Sequence, residues 1–260
     1  MDLQLKDKVI LITGGAKGIG AAIASACATE GAIPAIVDRD GEAAKKLHAS
    51  LRRSGVACHV FIADLSSAQH CEQVAAKVIS ECGRLDALVN NAGINDNVGL
   101  ESGRPVEFVE SLARNLNHYY AMAHYVLPAL KQSKGSILNI ASKVAITGQG
   151  GTSGYAAAKG GVLGLTREWA AELLPFCIRV NAVVPAEVMT PLYRQWLETF
   201  PDPEAKLAAV ISKIPLGKRM TTAEEIANVA VFLISSKAAH ITGQHLFVDG
   251  GYTHLDRALT

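Results

Sequence analysis

The chain has 260 residues, 49% hydrophobic and 19% charged, a size that suits one large α/β domain able to bury a core without disulfides or a structural metal. Lys and Arg number 25 against 24 Asp and Glu, a formal net charge of +1 with no basic stripe or acidic tail. That balance argues against nucleic acid and anionic membrane as partners.

Short apolar, β-branched runs alternate with helical patterns along the whole chain. "KVILIT" (8–13) precedes a small-residue helix at about 18–30, and "IPAIVD" (33–38) precedes "GEAAKKLHASLRRS". "CHVFIADL" (58–65) leads to "AQHCEQVAAKVISECG", and "LDALVNN" (85–91) to one long helical region around 105–132. "GSILNIAS" (135–142) is followed by a helix over 153–173, "IRVNAVVP" (178–185) by a proline-interrupted stretch and a helix at 222–235, and "HLFVDGG" (245–251) closes the series. Strands apolar on both faces, each followed by a helix, predict a parallel sheet covered on both sides with right-handed crossovers. No repeat, low-complexity tract or linker divides 1–260, so a single domain is expected. The stretch at about 187–218, with prolines at 191, 201, 203 and 215, reads as a substrate lobe or lid within it.

The five cysteines (27, 58, 71, 82, 177) form no C-x-x-C pair, and no His joins them at ligand spacing, so neither a disulfide framework nor zinc is expected. The start "MDLQLKDKVILITGG" is too charged for a signal peptide, and no run reaches membrane-spanning length. The expectation is a soluble cytoplasmic protein.

Glycines at 14, 15, 18 and 20 lie between the first strand and the first helix. Small residues there let backbone approach a pyrophosphate, and the helix N-terminus offers free N–H groups and a positive dipole end. The plain alternative is a tight strand–helix connection. Asp38 ends the second strand, where an acidic residue accepts from the adenosine ribose hydroxyls and repels a 2′-phosphate. This favours NAD. Lys17 and Arg39 could instead neutralise that phosphate, which keeps NADP open.

Tyr155 and Lys159 stand four apart on one helix face in a run otherwise fit for packing. They are either a half-buried aromatic with a surface charge or a proton-transfer pair. A free tyrosine, at a pKa of about 10, is a poor base at neutral pH. A neighbouring ammonium lowers it toward the working range.

"TGGAKGIG" (13–20), "DL" (64–65), "NNAG" (90–93), Asn115, Ser142 thirteen positions before Tyr155, "YAAAK" (155–159) and "PAEVMT" (185–190) together resemble the short-chain dehydrogenase/reductase signature set, in order and over nearly the whole chain. The resemblance implies a Rossmann-type, doubly wound parallel sheet of seven strands in the order 3-2-1-4-5-6-7, with helices on both faces and often a homotetramer. It makes Tyr155 the acid/base, Lys159 its partner, Ser142 the carbonyl orienter and Asn115 part of a proton relay. The cofactor would be held by Gly14, Lys17, Gly18, Ile19 and Gly20 at the phosphates and by Asp38, Arg39, Asp64 and Leu65 at the adenosine end. Asn91, Ala92 and Gly93 would lie along its backbone, and Pro185, Val188 and Thr190 by the nicotinamide, with Tyr155 and Lys159.

After Pro185, where the family usually has glycine, Ala186 and Glu187 follow. With Asn95, Asp96, Lys143 and Gln149 this suggests a pocket for a polyhydroxylated substrate, since each sugar hydroxyl both donates and accepts. The alternative for each is a solvated loop residue. "NHYYAMAHY", "KVAITGQGGTSGY", "PAEVMTPLYRQW" and "FVDGGYTHLDRAL" resemble bacterial short-chain L-fucose (aldose) dehydrogenases. That narrower resemblance implies oxidation at C1 of a cyclic aldose to the lactone, with Tyr193, Arg194 and Trp196 of the lobe closing over the sugar. Rival readings are a 3-oxoacyl carrier-protein reductase using NADPH, another secondary-alcohol or steroid dehydrogenase, and an inactive dinucleotide-sensing scaffold. The tail "THLDRALT" follows the last strand and is a candidate contact with a neighbouring subunit's site.

Overall fold

Seven strands pair in parallel: β1 (Val9–Thr13), β2 (Ile33–Asp38), β3 (His59–Ile62), β4 (Ala87–Asn90), β5 (Ser136–Ile140), β6 (Arg179–Pro185) and β7 (His245–Val248). Their order across the sheet is β3-β2-β1-β4-β5-β6-β7 in this computed structural model, which describes residues 1–255. The tail residues 256–260, including part of "THLDRALT", lie outside the described residues.

Val, Ile and Leu dominate the central strands, where branched side chains fit a surface buried on both sides. Alternation along β1 divides them between two cores. Val9 and Leu11 join the cluster under α3 (Ala68–Cys82), α5 (His118–Ser133) and α6 (Ser153–Glu172). Ile10 and Ile12 join the cluster under α1 (Gly18–Thr29), α2 (Gly41–Arg53) and α9 (Ala223–Ile234). Local chemistry sets the helix ends. The Asp40 side chain accepts from Ala43 N–H to start α2, Thr222 and Glu225 form a reciprocal box at the start of α9, and Gly83 ends α3 at φ 70°.

Two segments carry detail that the sequence pattern does not show. The helical region expected around 105–132 is helical throughout, as α4 (Pro105–Leu112), a π-helical turn over Ala113–Asn117 and α5. Such a bulge admits an extra residue per turn and re-aims a side chain; here it buries Asn115. The lobe at 187–218 contains two short helices, α7 (Pro191–Leu197) and α8 (Pro203–Ile211), each with a proline at its start and a side-chain cap from Thr190 or Asp202. Both ends of the lobe are tied down, Thr221 N–H donating to Glu187 O at 3.0 Å and Leu216 N–H to Gly250 O at 2.9 Å. No helix among the described residues is long and apolar enough to cross a membrane.

Candidate active site

The sheet order reverses between β1 and β4, so the chains leaving these strands diverge and open a crevice at their carboxyl ends. A cavity of ≈ 590 Å3 lies there. Gly14 and Gly18 hold φ of 60° and 52°, the left-handed region that favours glycine. Gly14 N–H donates to Val37 O at 2.8 Å, and Asn91 Nδ2 donates to Thr13 O and Gly14 O at 3.0 and 2.9 Å, which ties the end of β4 to the glycine turn. Gly14, Lys17, Gly18, Ile19, Asp38, Arg39, Asp64 and Leu65 line one part of the cavity. Asn91, Ala92, Gly93, Pro185, Val188 and Thr190 line another part, with Ser142, Tyr155 and Lys159.

Gly20 does not line the cavity. A Cβ there would lie 2.2 Å from Gly14 O and 2.6 Å from Asn91 Nδ2, so this glycine lets α1 approach the turn rather than touching a ligand itself. Asp38 accepts from Ala16 N–H at 3.0 Å and from Asp40 N–H at 2.9 Å, which fixes its carboxylate beside the turn. Lys17 is ion-paired to Asp40. Hydrogen bonding from Ser66 holds the Asp64 carboxyl below the usual range. Backbone flexibility and carboxylate together fit the pyrophosphate and ribose of a nicotinamide dinucleotide.

Ser142 follows β5, and Tyr155 lies one turn into α6. Tyr155 keeps part of its surface open to the cavity, yet burial pushes its phenol up to about 12, partly opposed by a hydrogen bond with the Ser142 side chain. Lys159 is 2% exposed, and burial lowers its ammonium to about 7. Its Nζ donates to the Tyr119 hydroxyl at 2.9 Å and to Ile140 O at 2.8 Å, and stands 5.7 Å from the Tyr155 ring centre. In the protein alone, burial is the first cause of both shifts, each toward the neutral form.

The Asn115 side chain is engaged elsewhere. Its Oδ1 accepts from Ile94 N–H at 2.7 Å and its Nδ2 donates to Ser111 O at 3.0 Å; among the described residues no hydrogen bond joins it to Lys159, and it does not line the cavity. It holds the loop that carries Gly93 and Ile94, both of which do.

Of the residues expected to meet substrate, only Tyr193 lines the cavity. Lys143, 8% exposed, is ion-paired to Glu187 and stands 4.1 Å from the Tyr252 ring centre. Burial and the Glu187 carboxylate, to which its phenol hydrogen-bonds, push Tyr193 well above the usual range. The two charges expected on the cavity wall thus satisfy each other beside it. Trp196 packs edge-on against Tyr193 and Phe200 at centroid distances of 5.0 and 4.9 Å, and Arg194 is exposed. The helical rotation of α7 turns both away and presents Leu192, Tyr193 and Gln195 instead. Gln149 is an exposed loop residue and Asn95 accepts from Asn97 N–H at 3.4 Å; neither lines the cavity. Sequence reasoning missed Arg114, His118 and Ala186, which do line it, and Tyr119 and Tyr252 beside it. The spacing of Tyr119 four residues after Asn115 was the available signal.

Residues 14–253 match the family model described as enoyl-(acyl carrier protein) reductase. The 3-oxoacyl-[acyl-carrier-protein] reductase FabG of Thermotoga maritima is 36% identical over 96% of this chain and 99% of that protein. The L-fucose dehydrogenase of Oryctolagus cuniculus is 37% identical over 94% of this chain and 84% of that protein. Among solved structures, Cj0485 dehydrogenase superposes with a TM-score of 0.94 at 50% identity, covering 100% of this chain and 99% of the other.

Proposed function

Because the chain belongs to the short-chain dehydrogenase/reductase family of NAD(P)-dependent oxidoreductases, we propose that it oxidises the C1 hydroxyl of an aldose such as L-fucose to the lactone, with NAD as acceptor. The observation that carries the sugar reading is Tyr193. It lines the cavity beside the Glu187 carboxylate, itself ion-paired to Lys143, the residue that follows Ser142. A phenol both donates and accepts, so it can meet a substrate hydroxyl in either role. The likeness to the rabbit L-fucose dehydrogenase supports the same substrate class.

In this reading Tyr155 takes the anomeric hydroxyl proton, Ser142 donates to the same oxygen, and Lys159 favours the phenolate and holds the nicotinamide ribose. Bound nicotinamide supplies the hydride acceptor. A phenol at about 12 needs charge and hydrogen bonding to act near neutrality; the Ser142 side chain acts in that direction, and a charged ammonium on Lys159 favours the phenolate. Asn115 contributes by holding the Gly93–Ile94 loop. NAD is favoured over NADP because Asp38 lies at the ribose end and Lys17 is engaged by Asp40. The segment 187–218 is taken as the substrate lobe of one domain, in a cytoplasmic homotetramer that rests on the family resemblance.

A second reading, reduction of a 3-oxoacyl thioester with NADPH, draws on the likeness to the Thermotoga reductase and on Arg39 at the adenosine end of the cavity.

The test is NADH formation with L-fucose by the wild type and Tyr155→Phe. Turnover in the wild type, reduced about 1,000-fold or more in the variant, is the expected result. Equal turnover in the two proteins would remove Tyr155 from the chemistry.

A further inference from the structure

We infer that Tyr119 is a positioning residue for Lys159: with the Ile140 carbonyl it occupies two of the three ammonium donors and leaves a single N–H for the cavity. The inference rests on the reading of Tyr155 and Lys159 as the acid/base pair and deepens it.

Three hydrogen bonds close a triangle. Lys159 Nζ donates to the Tyr119 hydroxyl oxygen at 2.9 Å and to Ile140 O at 2.8 Å, and the Tyr119 hydroxyl donates to the same Ile140 O at 2.9 Å. The triangle joins α5, α6 and the end of β5, two residues before Ser142. An ammonium has three donors and no acceptor, so one N–H remains, on a side chain that lines the cavity.

Tyr119 is among the largest fully buried side chains. Phenylalanine would fill the same space, and Lys159 could still reach Ile140 O. The hydroxyl therefore matters through the lysine. Because its proton goes to Ile140 O, its lone pairs face Nζ. Burial keeps this phenol protonated far above the usual range, so the polarity of the triangle does not invert with pH.

Every element packed on Lys159 bears on its charge. From α6 comes Tyr155, from α5 Tyr119 and His118, from the π turn the neutral amide of Asn115, from the loop after β4 the Gly93 backbone, and from β5 the Ile140 carbonyl. His118 is pushed down to about 4 by burial and is neutral at working pH. Among the described residues no carboxylate pairs with Lys159. Two neutral acceptors are what keep this dehydrated ammonium charged, and removing one shifts the balance toward the amine. A hydrogen bond to a charged group corresponds to about one pKa unit.

The first arm of the test needs no substrate. NADH affinity is followed by fluorescence against pH for the wild type, Tyr119→Phe, Tyr119→Leu and Lys159→Met, with melting temperature as the folding control. Wild-type affinity should begin to weaken as pH rises through about 7, where the ammonium is lost. In Tyr119→Phe that bend should fall by about one unit, Tyr119→Leu should move it the same way, and Lys159→Met should abolish it. In the oxidative direction with L-fucose, the rising limb of kcat/KM should move to higher pH in Tyr119→Phe, because a weaker ammonium leaves Tyr155 a weaker acid. A purely structural hydroxyl would lower the melting temperature or the amplitude without moving either position. Coincident bends in wild type and Tyr119→Phe overturn the inference while leaving the acid/base pair intact. A wild-type affinity flat with pH, or a bend that survives in Lys159→Met, overturns the inference at its base, whichever substrate the enzyme takes.

Discussion

A lysine and a tyrosine buried side by side act on each other less than either is acted on by the loss of water. Burial lowers Lys159 to about 7 and raises Tyr155 to about 12. His118 shows the same physics with a cleaner readout. Its Nε2 lies 2.9 Å from Arg114 O, its Nδ1 has no partner among the described residues, and burial lowers it to about 4 from 6.5. The unfolded chain therefore takes up this proton first. Stability present above pH 6.5 is lost as pH falls toward 4, by up to about 3 kcal/mol. Urea midpoints measured across that range should fall less steeply in His118→Asn than in the wild type; equal slopes would show that His118 is solvated. Spacing made Ser142, Tyr155 and Lys159 legible as a group, because helix period and motif order are properties of the chain itself. It could not show that Lys143 and Glu187, 44 positions apart, neutralise each other, since that depends on how the ends of β5 and β6 approach.

At the scale of elements, the strands read from composition ran past their true ends. The runs 58–65, 85–91, 135–142 and 245–251 stop pairing at Ile62, Asn90, Ile140 and Val248. The tails of the first three, including Asp64, Asn91 and Ser142, leave the ladder to line the cavity. Apolar patterning marks a buried segment but not where its backbone hydrogen bonds stop. The π turn was likewise illegible, because 105–132 carries a helical pattern throughout, whereas the burial of Asn115 and its hydrogen bond from Ile94 N–H arise only in the fold. In α7, residue types suggested a sugar-binding face, whereas rotation about the helix axis sends Arg194 and Trp196 outward. The close approach of α1 to the glycine turn yields a prediction of its own. In Gly20→Ala the new methyl meets the Gly14 carbonyl, a backbone atom that cannot swing aside. Overpacking of this kind should cost about 2–3 kcal/mol and weaken NADH binding about 10-fold or more. Denaturant unfolding and NADH titration check both, and an unchanged affinity would show that the turn does not hold the cofactor.

Across the molecule, one topological feature organises the rest. Because β4 pairs with β1 on the side opposite β2, the crevice at the reversal receives residues from the ends of β1, β2, β4, β5 and β6 at once. Alternating strands and helices were enough to read a parallel sheet covered on both sides, while its order of seven strands came from the resemblance carried by the motifs. Substrate choice is less constrained: the stretch 187–218, proposed above as the substrate lobe, is where the chain is least periodic. Relatives of similar identity carry names as different as 3-oxoacyl reductase and L-fucose dehydrogenase, so the fold alone leaves substrate choice open. Competing substrates decide it most directly. Values of kcat/KM should be measured on one preparation for L-fucose with NAD, L-fucose with NADP, cyclopentanol with NAD, and acetoacetyl thioester with NADPH. L-fucose with NAD should exceed each of the others by about 100-fold or more. Faster reduction of the thioester with NADPH would contradict the sugar reading.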